Sequence, residues 1–364
     1  MPCRSGELGV HCFIRQRAGG NVVNLSALRG YGHLFDDWLR AAPSSNEGGC
    51  PFEPPDGTPL RVHVHGEDME FGYELVQVMP YAHAACLHGV LELRSYCRGM
   101  RPFYFFASKL ALLKAAEVQC RRDITHEIPG GTWSMRAQHA RPVGRFWERH
   151  PAYRQHYRSP AWRHTRSALV LAKQGIAGVK SFVPSGVRNT WSMPGLIALL
   201  QQLNAHADRV VYFRAGAALP PAQTGDVGPN AYNDTAEIRA HAPNVTFLQD
   251  MVARGPGYAN RLNEMQLVLA ATAQVTVATQ GGAAVLSSLA AERLVILCRV
   301  GQECHGRPPD VTWWRHLNNA TVVIGADEAA LAREAVRMLR LPRSTTLGST
   351  KLGGHGAPAT DIRR

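Results

Sequence analysis

Residues 274–298 read QVTVATQGGAAVLSSLAAERLVILC. The β-branched run Val275-Thr276-Val277 leads into Thr279-Gln280-Gly281-Gly282, a small-residue helical pattern follows, and a second apolar run covers Leu294–Cys298. This is the order strand, glycine turn, helix, strand. Glycines at a strand-to-helix junction let the backbone approach a ligand closely, and the first N–H groups of the helix attract anions. The stretch therefore predicts a place for a phosphate or diphosphate at the carboxyl end of a parallel sheet.

The elements around this stretch repeat its pattern. Strands are expected at Ser167–Ala172, Arg209–Phe213, Asn244–Leu248, Val275–Thr279, Leu294–Cys298 and Ala320–Ile324. Helices are expected at Pro194–Ala205, Thr235–His241, Asn263–Ala273 with Asn263 as cap, Gly282–Ala291 and Asp327–Leu341, the last with an acidic start and Pro342 after its end. Strands alternating with helices at this spacing predict an α/β fold with a doubly wound parallel sheet over residues 166–343. Residues 59–165 form a smaller α/β domain: LRVHVH (60–65) reads as a strand, FGYELVQVMPYAHAACLHGV (71–90) as a helix and RPFYFFA (101–107) as another strand, with a basic connection beyond. Residues 1–58 read as a loosely ordered extension with an amphipathic piece near 25–41 and a linker at 43–58. The Gly/Ser/Thr-rich tail 344–364 is expected to be disordered.

Composition narrows the function classes. The 364 residues are 45% apolar and 19% charged, an ordinary globular balance. No apolar run reaches the roughly 18 residues that cross a bilayer, and the N-terminus shows no signal-peptide core. A chain complete as written is expected in the cytoplasm, and one that has lost an N-terminal anchor in the Golgi or ER lumen. The net charge is +12. Its basic cluster at 136–166 has neither the pattern of an RNA-recognition motif nor zinc-finger spacing, so nucleic acid is disfavoured as a partner and an anionic small substrate or a solvated face is preferred. Eight cysteines are irregularly spaced and form neither a zinc pattern nor a dense disulfide framework, and Cys298 reads as a small hydrophobe in a buried strand. Glycosylation sequons stand at Asn24, Asn233, Asn244 and Asn319. They matter only in a secretory lumen, and the strand beside Asn244 argues against that one.

Open α/β sheets bind ligands at the carboxyl edge. There Lys173 follows SALVLA, Arg214 follows RVVYF, Gln249-Asp250 follow VTFL, and Thr279, Gln280, Gly281 and Gly282 follow VTVA. Two cations and a glycine-rich helix start form a diphosphate cradle. The chain has neither a G-x-x-x-x-G-K-[ST] loop nor a G-x-G-x-x-G after the first strand, which disfavours dinucleotide oxidoreduction.

Phe71-Gly72-Tyr73-Glu74-Leu75, Met79-Pro80-Tyr81-Ala82 and Thr279-Gln280-Gly281-Gly282-Ala283 resemble motifs of glycosyltransferases with the GT-B architecture, nearest to fucosyltransferase-like bacterial and algal sequences. His150-Pro151-Ala152-Tyr153, Asn263-Glu264-Met265-Gln266 and Trp313-Trp314 fit the same pattern, which spans roughly residues 68–340. The resemblance implies two Rossmann-like domains facing a cleft, with 59–165 on the acceptor side and 166–343 holding a GDP- or UDP-linked sugar. It implies transfer to a hydroxyl of a glycan or protein without a bound metal or other cofactor, since basic side chains and a helix N-terminus take the leaving diphosphate's charge. Lys173, Arg214, Thr279, Gln280, Gly281 and Gly282 would hold the donor, and Arg214 would also be catalytic, together with Glu74. Glu74 would take the acceptor's proton, with Asp68 and Glu70 as substitutes, although a carboxylate at a helix start also serves the dipole.

The chain departs from these relatives where Ala172-Lys173-Gln174 replaces an Asn-Lys-Tyr type turn. A degenerate glycan- or nucleotide-binding protein of the same fold is therefore the alternative, and a basic nucleic-acid-binding protein the third. His63 and His65 share a strand face, but without a third ligand they read as solvated. The 136–166 cluster reads as a lid or a solvated connection, and Trp313-Trp314 as sugar-stacking or packing residues.

Overall fold

The computed structural model describes residues 15–17, 20–24, 60–64, 75, 79, 82, 83, 86, 91–93, 95–107, 109–118, 152–162, 164–172, 190–214, 234–299 and 320–343. Arg15–Arg17 (β1) and Gly20–Asn24 (β2) pair antiparallel. β2 runs parallel to Leu60–Val64 (β3), and β3 parallel to Leu91–Leu93 (β4). Leu60–Val64 of LRVHVH is thus a strand, and part of 1–58 is paired in its sheet. The amphipathic piece 25–41, the linker 43–58, His65, Trp313-Trp314 and the tail 344–364 lie outside the described residues.

Ser95–Cys97 (β5) pairs in parallel with Ala116–Val118 (β6), with Lys109–Lys114 (α1) between them in sequence. RPFYFFA is not the expected strand: Arg101–Tyr104 is a 3-10 helix with Pro102 in its first turn. Proline has no N–H for a ladder and is at home at a helix start. Packing against Tyr153–Tyr157 (α2) completes the override of β-propensity. The Tyr153 hydroxyl donates to the Phe103 carbonyl at 2.7 Å, the Tyr157 hydroxyl donates to the Pro102 carbonyl, and Phe105 stacks on His156 with ring centres 4.0 Å apart.

The largest sheet contains Ser167–Ala172 (β7), Arg209–Arg214 (β8), Val245–Phe247 (β9), Val275–Thr279 (β10), Arg293–Leu297 (β11) and Thr321–Gly325 (β12). All its neighbours pair in parallel, in the order β12-β11-β10-β7-β8-β9. Numbered from β7, this is the doubly wound order 3-2-1-4-5-6. The helices are Met193–Asn204 (α3), Thr235–His241 (α4), Tyr258–Thr272 (α5), Gly282–Ala290 (α6) and Glu328–Arg340 (α7).

Strand alternation sends apolar side chains to both faces. Ala168, Val170, Val210, Val275, Val277 and Val295 pack with α3, α4 and α7, whereas Leu169, Leu171, Val211, Ala278 and Ile296 pack with α2, α5 and α6. In α3 the buried residues Leu196, Leu199, Leu200 and Leu203 fall at helical spacing on one face. The second core continues without a break into Leu75, Met79, Tyr96, Phe103 and Tyr104. Segment 99–117 joins α5 through polar bonds as well: the Asn263 amide donates to the Gly99 carbonyl at 2.9 Å and the Asn260 amide to Glu117 at 2.9 Å. Asn263 is therefore inside its helix and not its cap. The cap is Gly257, whose φ of +72° suits glycine.

Cys86, Cys97 and Cys298, the described cysteines, are all disulfide-bonded. Cys298 is buried as expected, but it is a cross-link and not a free hydrophobe. Among the described residues no helix is long and apolar enough to cross a membrane.

At the amino end of β11, buried Arg293 donates to the Met338 and Leu341 carbonyls at 2.9 and 3.0 Å and also to the Pro342 carbonyl, closing the end of α7. Arg293→Met removes all three bonds, leaving the Met338 carbonyl only the Leu341 N–H, and is expected to lower the unfolding free energy by about 1–3 kcal/mol in urea titrations.

Candidate functional site

From β7 the chain winds outward through β8 to β9 and then returns to place β10 on the other side of β7. The crossovers diverge at this point, and by the general rule for such sheets the ligand crevice falls between the carboxyl ends of β7 and β10. Two helices begin there, α3 in the connection after β7 and α6 directly after β10. Their starts are built differently.

β10 ends at Thr279, in register with Leu297, and the Gln280 N–H donates to the Leu297 carbonyl at 2.9 Å. Thr279 and Gln280 are buried and engaged by other groups. The chain then turns at Gly281, with φ +116° and ψ −154°, a backbone region essentially restricted to glycine. The first bond of α6 runs from the Val285 N–H to the Gly281 carbonyl at 3.0 Å. A glycine cap has no side chain to satisfy the N–H groups at the helix start. Gly281, Gly282 and Ala283 are partly exposed. What this turn offers a ligand is therefore backbone N–H and the positive end of the helix dipole.

The start of α3 is already occupied by the protein's own groups. Ser192 Oγ accepts from the Gly195 N–H at 3.1 Å, and Glu328 accepts from the Ser192 N–H at 2.7 Å and from its hydroxyl at 2.5 Å. Arg299, just past β11, holds Glu328 at 2.6 Å and donates to the Thr190 and Ala326 carbonyls at 2.9 and 3.1 Å. A carboxylate thus neutralises one of the two helix ends at the crevice, and the glycine-capped α6 is left as the anion-attracting one. Sequence reading missed Arg299 and Glu328. Their one visible signal was an arginine directly after a strand and an acidic residue opening a helix.

Arg214 ends β8, two strand spacings, about 10 Å, from the end of β10. It is buried, with Nε 3.6 Å from Asp234 Oδ1. The other oxygen of Asp234 accepts from the buried Tyr212 hydroxyl. Tyr212 and Arg214 are two residues apart on β8 and so project to one face, where Asp234 precedes α4. Burial holds the Asp234 carboxyl above its ordinary range, with the Tyr212 hydroxyl and Arg214 pulling in the opposite direction. Burial, then the charge of Asp234, raises the Tyr212 hydroxyl well above its usual value and keeps it a donor. Arg214 is therefore a cation whose charge its own chain already offsets.

The structure thus brings Thr279, Gln280, Gly281 and Gly282 to the crevice and sets Arg214 in a buried network beside it. Lys173, which follows β7 in sequence, and Glu74, with Asp68 and Glu70, lie outside the described residues. Gln249 and Asp250 fall in a 3-10 helix after β9, where Asp250 pairs with Arg239 at 3.3 Å. In the basic cluster, Arg154 serves the opposite rim: its guanidinium donates to the Ala290 and Ala291 carbonyls at the end of α6, and burial lowers its pKa to about 10. No protein-family model and no curated protein matches the chain.

Two outcomes test this geometry. Gly281→Ala forces a side chain into a glycine-only conformation and is expected to cost about 1–3 kcal/mol of stability by urea titration. Asp234→Ala strands a buried guanidinium and is expected to cost about 3–5 kcal/mol. The folded state holds the Asp234 proton more tightly than the unfolded chain does. Its favourable contribution is thus present below the ordinary carboxylate pKa and is lost as pH rises through the raised value. Asp234→Asn removes that component from the pH dependence of unfolding.

Proposed function

We propose that the protein is a glycosyltransferase that moves a sugar from a nucleoside-diphosphate donor, GDP- or UDP-linked, to a hydroxyl of a glycan or protein acceptor. The supporting observation is the uncapped, glycine-started α6 at the crevice between β7 and β10, beside an α3 whose own start is filled by Glu328. The resemblance of the FGYEL and QGG blocks to GT-B transferases adds the reaction class. As the bond from the anomeric carbon to the diphosphate breaks, negative charge builds on the leaving group. The N–H groups of Gly282, Ala283 and Ala284 are fixed in advance to receive it, so no reorganisation is needed at the transition state. Lys173 supplies a further positive charge. Arg214, offset by Asp234, shapes the floor of the site more than it contributes net charge. Glu74 takes the acceptor hydroxyl's proton as the new glycosidic bond forms.

Calorimetric titration of the folded chain with GDP and UDP tests this reading. One of them is expected to bind with a dissociation constant of about 1 μM to 1 mM, the range usual for enzyme substrates. Gly282 lacks the positive φ of Gly281. An aspartate there suits a helix start while setting a negative charge where the diphosphate would sit. Gly282→Asp is therefore expected to keep the fold and weaken binding by about tenfold or more, a loss of about 1.4 kcal/mol. No heat with either nucleotide would overturn the proposal. Binding without transfer or hydrolysis would favour the degenerate reading that the Ala172-Lys173-Gln174 departure suggests.

A further inference from the structure

The sequon Asn244-Val245-Thr246 lies on the rim opposite the crevice. The Val245 N–H donates to the Ala242 carbonyl at 3.1 Å, which closes a tight turn with Pro243 and Asn244 at its corners. Pro243 and Asn244 are exposed, Val245 is buried in β9, and Thr246 is partly exposed. The neighbouring strand, which argued against this site in the sequence, thus begins only after the asparagine has turned outward. β9 is an edge strand of its sheet, and among the described residues no strand pairs with its outer side.

The disulfides supply an independent observation. Bonds at Cys86, Cys97 and Cys298 form and persist in oxidising compartments, and the secretory lumen is the one where sequons are used. We infer that Asn244 carries an N-linked glycan that covers the open β9 edge of the sheet. In the modification step the Asn244 amide nitrogen bonds to the anomeric carbon of a lipid-diphosphate-linked oligosaccharide. The bond from that carbon to the phosphate oxygen breaks, lipid diphosphate leaves with the electron pair, and the amide releases one proton. Because the six strands are parallel, the start of β9 is at the amino end of the sheet. A glycan there leaves the crevice open. It also blocks edge-to-edge strand pairing, to which an uncovered edge is prone.

The test expresses the full chain, directed into the lumen of a eukaryotic cell by an added leader, and maps its peptides by mass spectrometry without reduction. The expected result is a glycan on Asn244 in protein whose Cys86, Cys97 and Cys298 are oxidised. Occupancy is expected to vanish in Asn244→Gln and Thr246→Ala and to persist in Thr246→Ser. Enzymatic removal of the glycan from folded protein is expected to raise light scattering on heating. An unmodified Asn244 peptide from disulfide-bonded protein overturns the inference, and so do free thiols at the three cysteines. Unchanged scattering overturns the edge-covering role. Nucleotide titration of Asn244→Gln is expected to match the parent chain, so this proposal and the glycosyltransferase proposal can fail separately.

Discussion

The parallel pairing of β10 with β7 is the interaction on which the rest of the structure depends. Val275, Thr276, Val277 and Ala278 align with Ala168, Leu169, Val170 and Leu171. These strands are separated by about a hundred residues, and their pairing sets the two halves of the sheet winding away from one line. It opens the crevice at their carboxyl ends and fixes which helices start there. It also buries both strands on both faces, which explains their continuous apolar sequences. A register slip of one residue would send Val275 and Val277 to the α5 and α6 side and disorder both cores.

The two helix starts at the crevice have unlike chemistry. At α3 the chain supplies a carboxylate, Glu328, and Arg299 anchors it from the end of β11. A side chain at Gly195 would collide with Glu328, with its Cβ 1.7 Å from Oε2. Glycine at 195 thus makes room for an internal anion, whereas glycine at 281 makes a turn that leaves N–H groups for an external one. Charge is settled in the same way at β8, where Asp234 answers Arg214 before any ligand arrives. Among the described residues, the anion-attracting capacity of the rim therefore concentrates at one helix end.

Much of the main sheet was legible in the sequence because its signals are local. β-branched runs, helical spacing and the acidic start of the helix expected at Asp327–Leu341 need no distant partner, and these elements fall within a few residues of their expected positions. The misreadings came where long-range contacts decide. The aromatic run at 101–107 has strand propensity, but Tyr153 and Tyr157, some fifty residues on, hold it as a 3-10 turn. Asn263 has a capping side chain, but it bonds to the Gly99 carbonyl from within a helix begun at Gly257. Arg214 looked like a free rim cation because nothing in its neighbourhood announces Asp234. The disulfides were equally invisible, since spacing alone cannot pair irregular cysteines.

The central claim is that the start of α6, and not the start of α3, receives a diphosphate. Backbone amide hydrogen exchange with and without saturating GDP or UDP reads this directly. The account predicts that slowed exchange centres on peptides containing Gly281–Val285, with little change at Ser192–Leu196. Protection centred on Ser192–Leu196, or none at Gly281–Val285 when nucleotide is bound, would contradict it.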